Sequence, residues 1–217
     1  MTIMKITQVE PQKKNPKRFN LFLDGEFAFG ADEDLVVNRR LVVGKIISAE
    51  ELDKILFEAE VGKLMEKMYR LWNIRQRSER EIRNYFRIKG KEEISQLAID
   101  ALVETLKKKG MVNDLEFAKA WVEARRRKQK GIRAIKAELF QKGIDKEIIE
   151  EALRLIDTRS GQVSEEDLAK LALEKKLKYW KNLPALEFRK KAFEFLMRRG
   201  FEYDVVKEVV EKASHLM

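Results

Sequence analysis

The chemistry on offer in this sequence is that of cations. Between Arg125 and Lys142 eight basic residues face a single acid, Glu138: they are Arg125, Arg126, Arg127, Lys128, Lys130, Arg133, Lys136 and Lys142. A second group, Arg75, Arg77, Arg80, Arg83 and Arg87, has only Glu79 and Glu81 for company. Its last three members follow the i, i+3, i+7 spacing of one helix face. Positive charge packed this densely repels itself, and the acids within each stretch are too few to neutralise it. The pattern therefore predicts contact with a polyanion, phosphate backbone above all. Nothing in either stretch resembles a base-reading helix, so base-specific readout has no support.

Covalent and metal chemistry find little to work with. There is no cysteine, and the only histidine is His215, near the C-terminus. A histidine dyad, a zinc site and a thiolate nucleophile are thereby disfavoured. Asp32, Glu33 and Asp34 would offer carboxylates to a metal-dependent nuclease, but only if rigid strands converged them on one ion. The sequence reads there as a helix entrance, where acidic side chains suit the exposed amides. We expect no catalytic residue, metal or cofactor.

The elements that must position the cations announce themselves as a repeat. Ser78–Gly90, Gly131–Gly143 and Phe188–Gly200 superpose without a gap. Each closes on a basic residue and glycine (Lys89-Gly90, Lys142-Gly143, Arg199-Gly200), as a helix C-cap asks. Apolar residues recur at matching offsets, first Ile82, Ile135 and Ala192, then Phe86, Leu139 and Leu196. A cation recurs at the third position: Arg80, Arg133 and Lys190. The offsets are helical, and a separation of about 55 residues fits a supersecondary unit copied three times. A scaffold of that kind presents an extended surface rather than one pocket.

From Val61 onward the apolar spacing is helical throughout, and nine helices in three triplets account for residues 61 to 217. Capping spacing opens two of them at Ser78 and Asn113, and others start near Ser95 and Ser164. Pro184 stands at the first turn of another, and Ser160-Gly161 marks a loose link. One tryptophan falls in each first helix, Trp72, Trp121 and Trp180. Their aliphatic neighbours favour core packing over base stacking.

Residues before Val61 have a different pattern. Phe19–Leu23, Asp24-Gly25 and Glu26–Phe29 spell a hairpin with a type I′ turn. In that register Phe22 faces Phe27 and Asn20 faces Phe29. Ile3–Val9 would add a third strand ended by Pro11. Cover would come from a segment at Asp34–Arg40 and a helix from Ser48 to about Glu60, with Ser48 and Glu51 at capping-box spacing.

Composition fits a folded, helix-rich chain: 44% hydrophobic, 38% charged, three prolines in 217 residues. The net charge of +9 is uneven. Residues 1–62 hold nine basic and eleven acidic side chains, so all of the excess lies downstream. No apolar run is long enough to span a membrane and no export leader stands at the start, so a soluble, cytoplasmic protein is expected.

The sequence resembles the RecX family of recombination regulators. Asn20–Phe29 is similar to that family's N-terminal hairpin, Arg75–Ile82 with Lys89-Gly90 to its first tandem unit. Asn113–Ala118, Trp121-Val122, Arg125, Gly131 and Glu138–Ile144 resemble the middle unit, and Phe195–Phe201 the last. The third stretch departs from the other two in opening on Phe188. The resemblance implies a mostly α fold of three tandem three-helix repeats in an elongated curved array, behind a small N-terminal β-hairpin segment with short helices. The corresponding divisions are 1–62, 63–110, 111–157 and 163–217. It also implies a non-enzymatic protein that binds RecA, RecA–DNA filaments, and single- and double-stranded DNA; no coiled-coil seam argues for a dimer, so a monomer with no membrane partner is expected. Such a protein restrains RecA filament growth, ATP hydrolysis and strand exchange, within DNA repair and the SOS response. The expected contact residues are the cations named above, with Lys190 and Arg199. The rival reading is a free-standing DNA- or RNA-binding helical module that acts without RecA.

Overall fold

The computed structural model describes residues 3–89, 94–158, 163–180 and 182–214. Its elements follow as β1 (Ile3–Gln12), β2 (Asn15–Leu23), β3 (Glu26–Asp32), α1 (Glu33–Asn38), β4 (Ile46–Ser48), α2 (Ala49–Trp72), α3 (Glu79–Lys89), α4 (Gln96–Lys108), α5 (Asp114–Arg127), α6 (Ile132–Gln141), α7 (Lys146–Asp157), α8 (Glu165–Trp180), α9 (Ala185–Arg198) and α10 (Tyr203–Ser214). They form two compact units. One comprises 1–77 and 82–111; the other comprises 78–81, where α3 begins, and 112–217.

In the first unit an antiparallel sheet has the order β3-β2-β1-β4. Asp24 and Gly25 both take positive φ, 49° and 92°, as the type I′ turn requires. Phe22 pairs with Phe27, their rings edge to face at 5.9 Å. The expected pairing of Asn20 with Phe29 does not occur. A bulge between Leu21 and Phe22 shifts the register by one, so Leu21 pairs with Phe29 and Asn20 with Gly30. The shift has a core payoff, since it turns Phe29 inward beside Leu21, and both are buried. β1 also outruns its expected end. β4 covers only Ile3–Lys5, so Pro11 lies on an edge where a missing amide is tolerated.

One core holds this sheet. Ile6, Leu21, Phe29, Ala31 and Ile47 pack beneath Leu35 of α1 and Ile55 and Ala59 of α2. Asp32 caps α1 by accepting from the Leu35 amide at 2.8 Å, and Ser48 caps α2 by accepting from Glu51 at 3.2 Å. The division expected at 62/63 falls inside α2, which runs unbroken for 24 residues. The helix expected to end near Glu60 runs on through Gly62, where a Cβ would lie 2.4 Å from Asp32 Oδ2. The glycine makes room for the cap of α1, and no proline follows to break the helix. α4 matches expectation at both ends, capped by Ser95 and followed by Gly110 at φ +67°. Gly90, the Ser160-Gly161 link and His215 lie outside the described residues.

The second unit contains two further cores. Phe117, Val122, Ile135, Leu139, Ile149 and Ile156 join α5–α7. Leu168, Leu173, Phe188, Leu196, Val206 and Val209 join α8–α10. All six apolar positions matched across the repeat are buried, Ile82 and Phe86 included.

Polar contacts repeat as well. Ser78 Oγ donates to the Lys142 carbonyl at 2.7 Å. At the matched place the Gly131 amide donates to the Arg199 carbonyl at 3.0 Å. One residue on, the Glu79 amide donates to Asp114 Oδ1 at 3.1 Å and the Ile132 amide to Glu165 Oε1 at 2.9 Å. The start of a second helix thus sits on the end of the next second helix, and its orphan amides are satisfied by the acid that opens the following triplet. The glycines after Lys142 and Arg199 serve this joint besides capping. Each has positive φ, and a Cβ on Gly200 would come within 2.4 Å of the Ala134 backbone. α9 ends the series. It starts a turn upstream behind Pro184, so its matched position, Phe188, is core rather than a docking end.

Candidate nucleic-acid interface

The structure sorts the expected contact residues by whether the fold already uses them. The middle stretch is partly neutralised, contrary to the count of local acids. Arg125 pairs with Glu138 at 2.5 Å, Arg126 with Asp157 at 2.5 Å, Lys136 with Glu150 at 2.7 Å and Lys142 with Glu81 at 2.6 Å. Three of those four acids lie outside the stretch and arrive by helix packing. Arg126 is only 6% exposed, so it belongs to the interior of the second unit. Arg199 is also internal. Its Nε donates to the Gln129 carbonyl at 2.8 Å, and Nη2 donates to the carbonyl of Lys128. Burial pushes its guanidinium below the ordinary arginine range. These five cations hold structure together.

Four cations remain without a carboxylate partner among the described residues: Arg127, Lys128, Lys130 and Arg133. All four stand where α5 passes into α6, and Arg127, Lys128 and Arg133 are exposed. The turn is firmly built. Gln129 takes φ +52°, its amide donates to Arg126 at 2.7 Å, and the Lys130 amide donates to Arg125 at 3.1 Å. Arg199 holds two of the turn's carbonyls, and Lys175 Nζ of α8 donates to Gln129 Oε1 at 2.9 Å. A turn so braced displays four positive charges at fixed positions, a suitable seat for successive phosphates. Lys175 was not anticipated; its signal was the Lys175-Lys176 pair.

The third-position cations Arg80, Arg133 and Lys190 are exposed in all three second helices. In the first unit Arg83 pairs with Asp100, and that hydrogen bond holds the Asp100 carboxyl below its usual range. Arg87 is exposed and donates to Asn84 Oδ1 at 3.1 Å, and Arg75 donates to the Gln76 carbonyl at 2.9 Å. Arg77 is partly buried, with Nε out of water.

Trp121 is fully occupied. Arg125 and Lys142 lie 4.0 and 4.2 Å from its ring centroid, and its Nε1 donates to Glu138 at 2.9 Å. Trp180 packs edge-on against Phe195 at 5.8 Å. Asp32 serves as a cap, and among the described residues no three His, Cys, Asp or Glu side chains come together as a metal-ligand set. Among those residues no helix is long and apolar enough to cross a membrane.

A small antiparallel sheet followed by helical triplets with separate cores and repeated joints defines a tandem three-helix-domain protein. Three family models match it in chain order. The regulatory protein RecX N-terminal domain matches residues 4–48, the RecX second three-helix domain 113–153 and the third three-helix domain 164–210. The regulatory protein RecX of Listeria monocytogenes is 32% identical over 213 residues, covering 97% of this chain and 76% of that one. Its counterpart in Clostridium beijerinckii is 32% identical over 210 residues, covering 96% and 95%. A crystal structure of a regulatory protein RecX shares the fold, with a TM-score of 0.72 at 23% identity over 96% of this chain and 99% of that one. RecX from Lactobacillus salivarius does so with a TM-score of 0.60 at 21% identity, over 73% and 98%. The chain belongs to the RecX family of regulatory proteins.

Proposed function

We propose that this protein regulates RecA by occupancy and catalyses nothing itself. It binds RecA and RecA–DNA filaments, and its presence across neighbouring protomers blocks filament growth, ATP hydrolysis and strand exchange. The observation that carries the nucleic-acid side of this reading is the α5–α6 turn. Arg127, Lys128, Lys130 and Arg133 have no carboxylate of the described chain to neutralise them, yet the fold invests Arg199 and Lys175 in holding the turn in place. Displayed charge of that kind costs self-repulsion unless an anion meets it. Single- and double-stranded DNA would both be held through phosphates. The three-helix stretches 63–110, 111–157 and 163–217 act as the binding modules, and the non-basic stretch 1–62 is left for contacts with protein.

RecA ATP hydrolysis on single-stranded DNA tests the reading. At stoichiometric amounts the protein should suppress it, and an unaffected rate would sink the proposal. Pull-down on ATP-bound RecA filaments against bare single strands, at two ionic strengths, separates this role from that of a free-standing DNA- or RNA-binding module. A filament regulator prefers the filament at both; a free-standing module does not.

A further inference from the structure

We propose that the C-terminal end of α8 is a stacking site for an unpaired base of single-stranded DNA, with Tyr179 as its platform. The inference rests on the reading that the second unit contacts DNA, and it names the form of DNA preferred there.

Trp121 and Trp180 do not supply such a platform. Trp121 is enclosed by Arg125, Lys142 and Glu138, and Trp180 is packed on Phe195. Tyr179 differs from both. At 69% exposure it is the most exposed aromatic residue among those described. Phe140 is almost as exposed, at 67%, but no cation among the described residues lies over its ring. Tyr179 has two: Lys178 Nζ lies 4.9 Å from its centroid and Lys176 Nζ 6.0 Å. Last-turn lysines complement a helix dipole, which accounts for the charge but not for a ring left in water beside it.

Position completes the argument. Lys175 ties α8 to the α5–α6 turn through Gln129 Oε1 at 2.9 Å. Tyr179 is four residues further along α8, about 6 Å up the axis. A strand whose phosphates rest on Lys128 and Lys130, either side of Gln129, is led past the Lys175 contact along α8 toward the ring. Single-strand binding surfaces combine these two parts, a cationic track and an aromatic face, because every base has a π surface to stack. In a duplex the bases stack on each other and leave the ring unused. The site therefore favours single-stranded over duplex DNA.

The test compares the full-length protein with Tyr179→Ala, Tyr179→Phe and Lys128→Ala on three labelled probes: oligodeoxythymidylate, a duplex of equal length, and an abasic strand that keeps the phosphates without bases. Tyr179→Ala should weaken binding to oligodeoxythymidylate by about 5- to 100-fold, the span of base–aromatic stacking, with an unchanged salt slope. It should leave the abasic strand and the duplex unaffected, and Tyr179→Phe should restore the loss. Lys128→Ala should weaken all three. A Tyr179→Ala variant that matches the parent on oligodeoxythymidylate, or that loses as much on the abasic strand, overturns the stacking site alone. Failure of the parent to bind any probe overturns the DNA reading and this site with it.

Discussion

Arg199 and Gln129 lie seventy residues apart in sequence, and the Arg199 guanidinium donates to the Gln129 carbonyl at 2.8 Å. Gln129 is a non-glycine residue in the left-handed region, at φ +52°. Such a conformation costs an L-residue roughly 1–2 kcal/mol, and Arg199 offsets it by also binding the Lys128 carbonyl. Arg199→Ala should therefore destabilise the protein by about 1.5–3 kcal/mol, the worth of charge-assisted hydrogen bonds. Gln129→Gly should stabilise by about 1 kcal/mol. If the turn is what Arg199 supports, Gln129→Gly gains more stability in the Arg199→Ala background than in the parent, and urea unfolding of the four proteins measures the difference. Strict additivity would show that the two residues act separately.

The exposed and the internal cations predict opposite phenotypes. Replacing Arg127, Lys128 and Arg133 with alanine should leave stability nearly unchanged and lower the salt slope of single-strand binding by about 2 units, at roughly 0.7 per lost phosphate contact. Asp157→Asn should do the reverse. It takes the carboxylate charge away from the buried Arg126 guanidinium, at a cost of about 1.5–3 kcal/mol since Asp157 itself is half exposed, and removes no displayed cation. Titrations at several salt concentrations, beside thermal unfolding, separate the two. A slope unchanged in the triple variant would assign those cations to solubility.

Three glycines with positive φ form a graded series. A Cβ on Gly110 meets nothing within 4 Å, so Gly110→Ala carries only the backbone penalty, about 1 kcal/mol. On Gly143 the added atom meets Arg80, whose Cδ can swing aside but whose Cβ, at 2.5 Å, moves only with its own backbone. On Gly200 it meets Ala134 Cβ at 2.3 Å and its backbone nitrogen at 2.4 Å, which cannot swing aside. The stability loss should rise in the order Gly110, Gly143, Gly200, the last exceeding about 3 kcal/mol, as overpacking at a fixed backbone does. Equal losses at all three would deny the joint between α6 and α9 its close fit.

What could be read in the sequence was whatever a local period encodes. Ile82, Phe86, Ile135, Leu139, Ala192 and Leu196 announced the repeated cores because helical spacing and burial are the same fact seen twice. The caps at Ser48, Ser78 and Asn113 were legible because a cap acts within three residues. The failures all involve distant partners. The helix expected to end near Glu60 runs on through Gly62, whose missing Cβ leaves room for Asp32. The bulge that pairs Leu21 with Phe29 serves the core beneath the sheet. Lys142 appeared free because Glu81 is 61 residues away, and Arg126 because Asp157 is 31 away. At Gln129 no glycine marked the left-handed turn, since long-range hydrogen bonds hold it instead of a permissive residue.

The joint between α6 and α8 should respond to pH in the sense opposite to the chain's ion pairs. Glu165 accepts from the Ile132 amide at 2.9 Å in a half-buried setting. Burial raises its pKa, and the charge of Glu202 adds to the rise against the opposing Ile132 hydrogen bond and the charge of Arg126. A carboxyl raised on folding binds more protons in the native state, so stability grows as pH falls toward the ordinary carboxylate range and is lost as pH rises through the folded value. Glu58 and Asp100 run the other way. Hydrogen bonds from Arg39 and Arg83 lower them, so their contribution is present above the ordinary carboxylate value and lost as pH falls through the depressed one. Glu165→Gln keeps an acceptor for the Ile132 amide and removes the charge. It should be more stable than the parent near neutrality, and the gap should close as pH falls from about 7 to about 4, because both side chains are then neutral. Urea unfolding across that range measures the gap, and one that stays constant with pH would mean that Glu165 ionises in the folded chain as freely as in water.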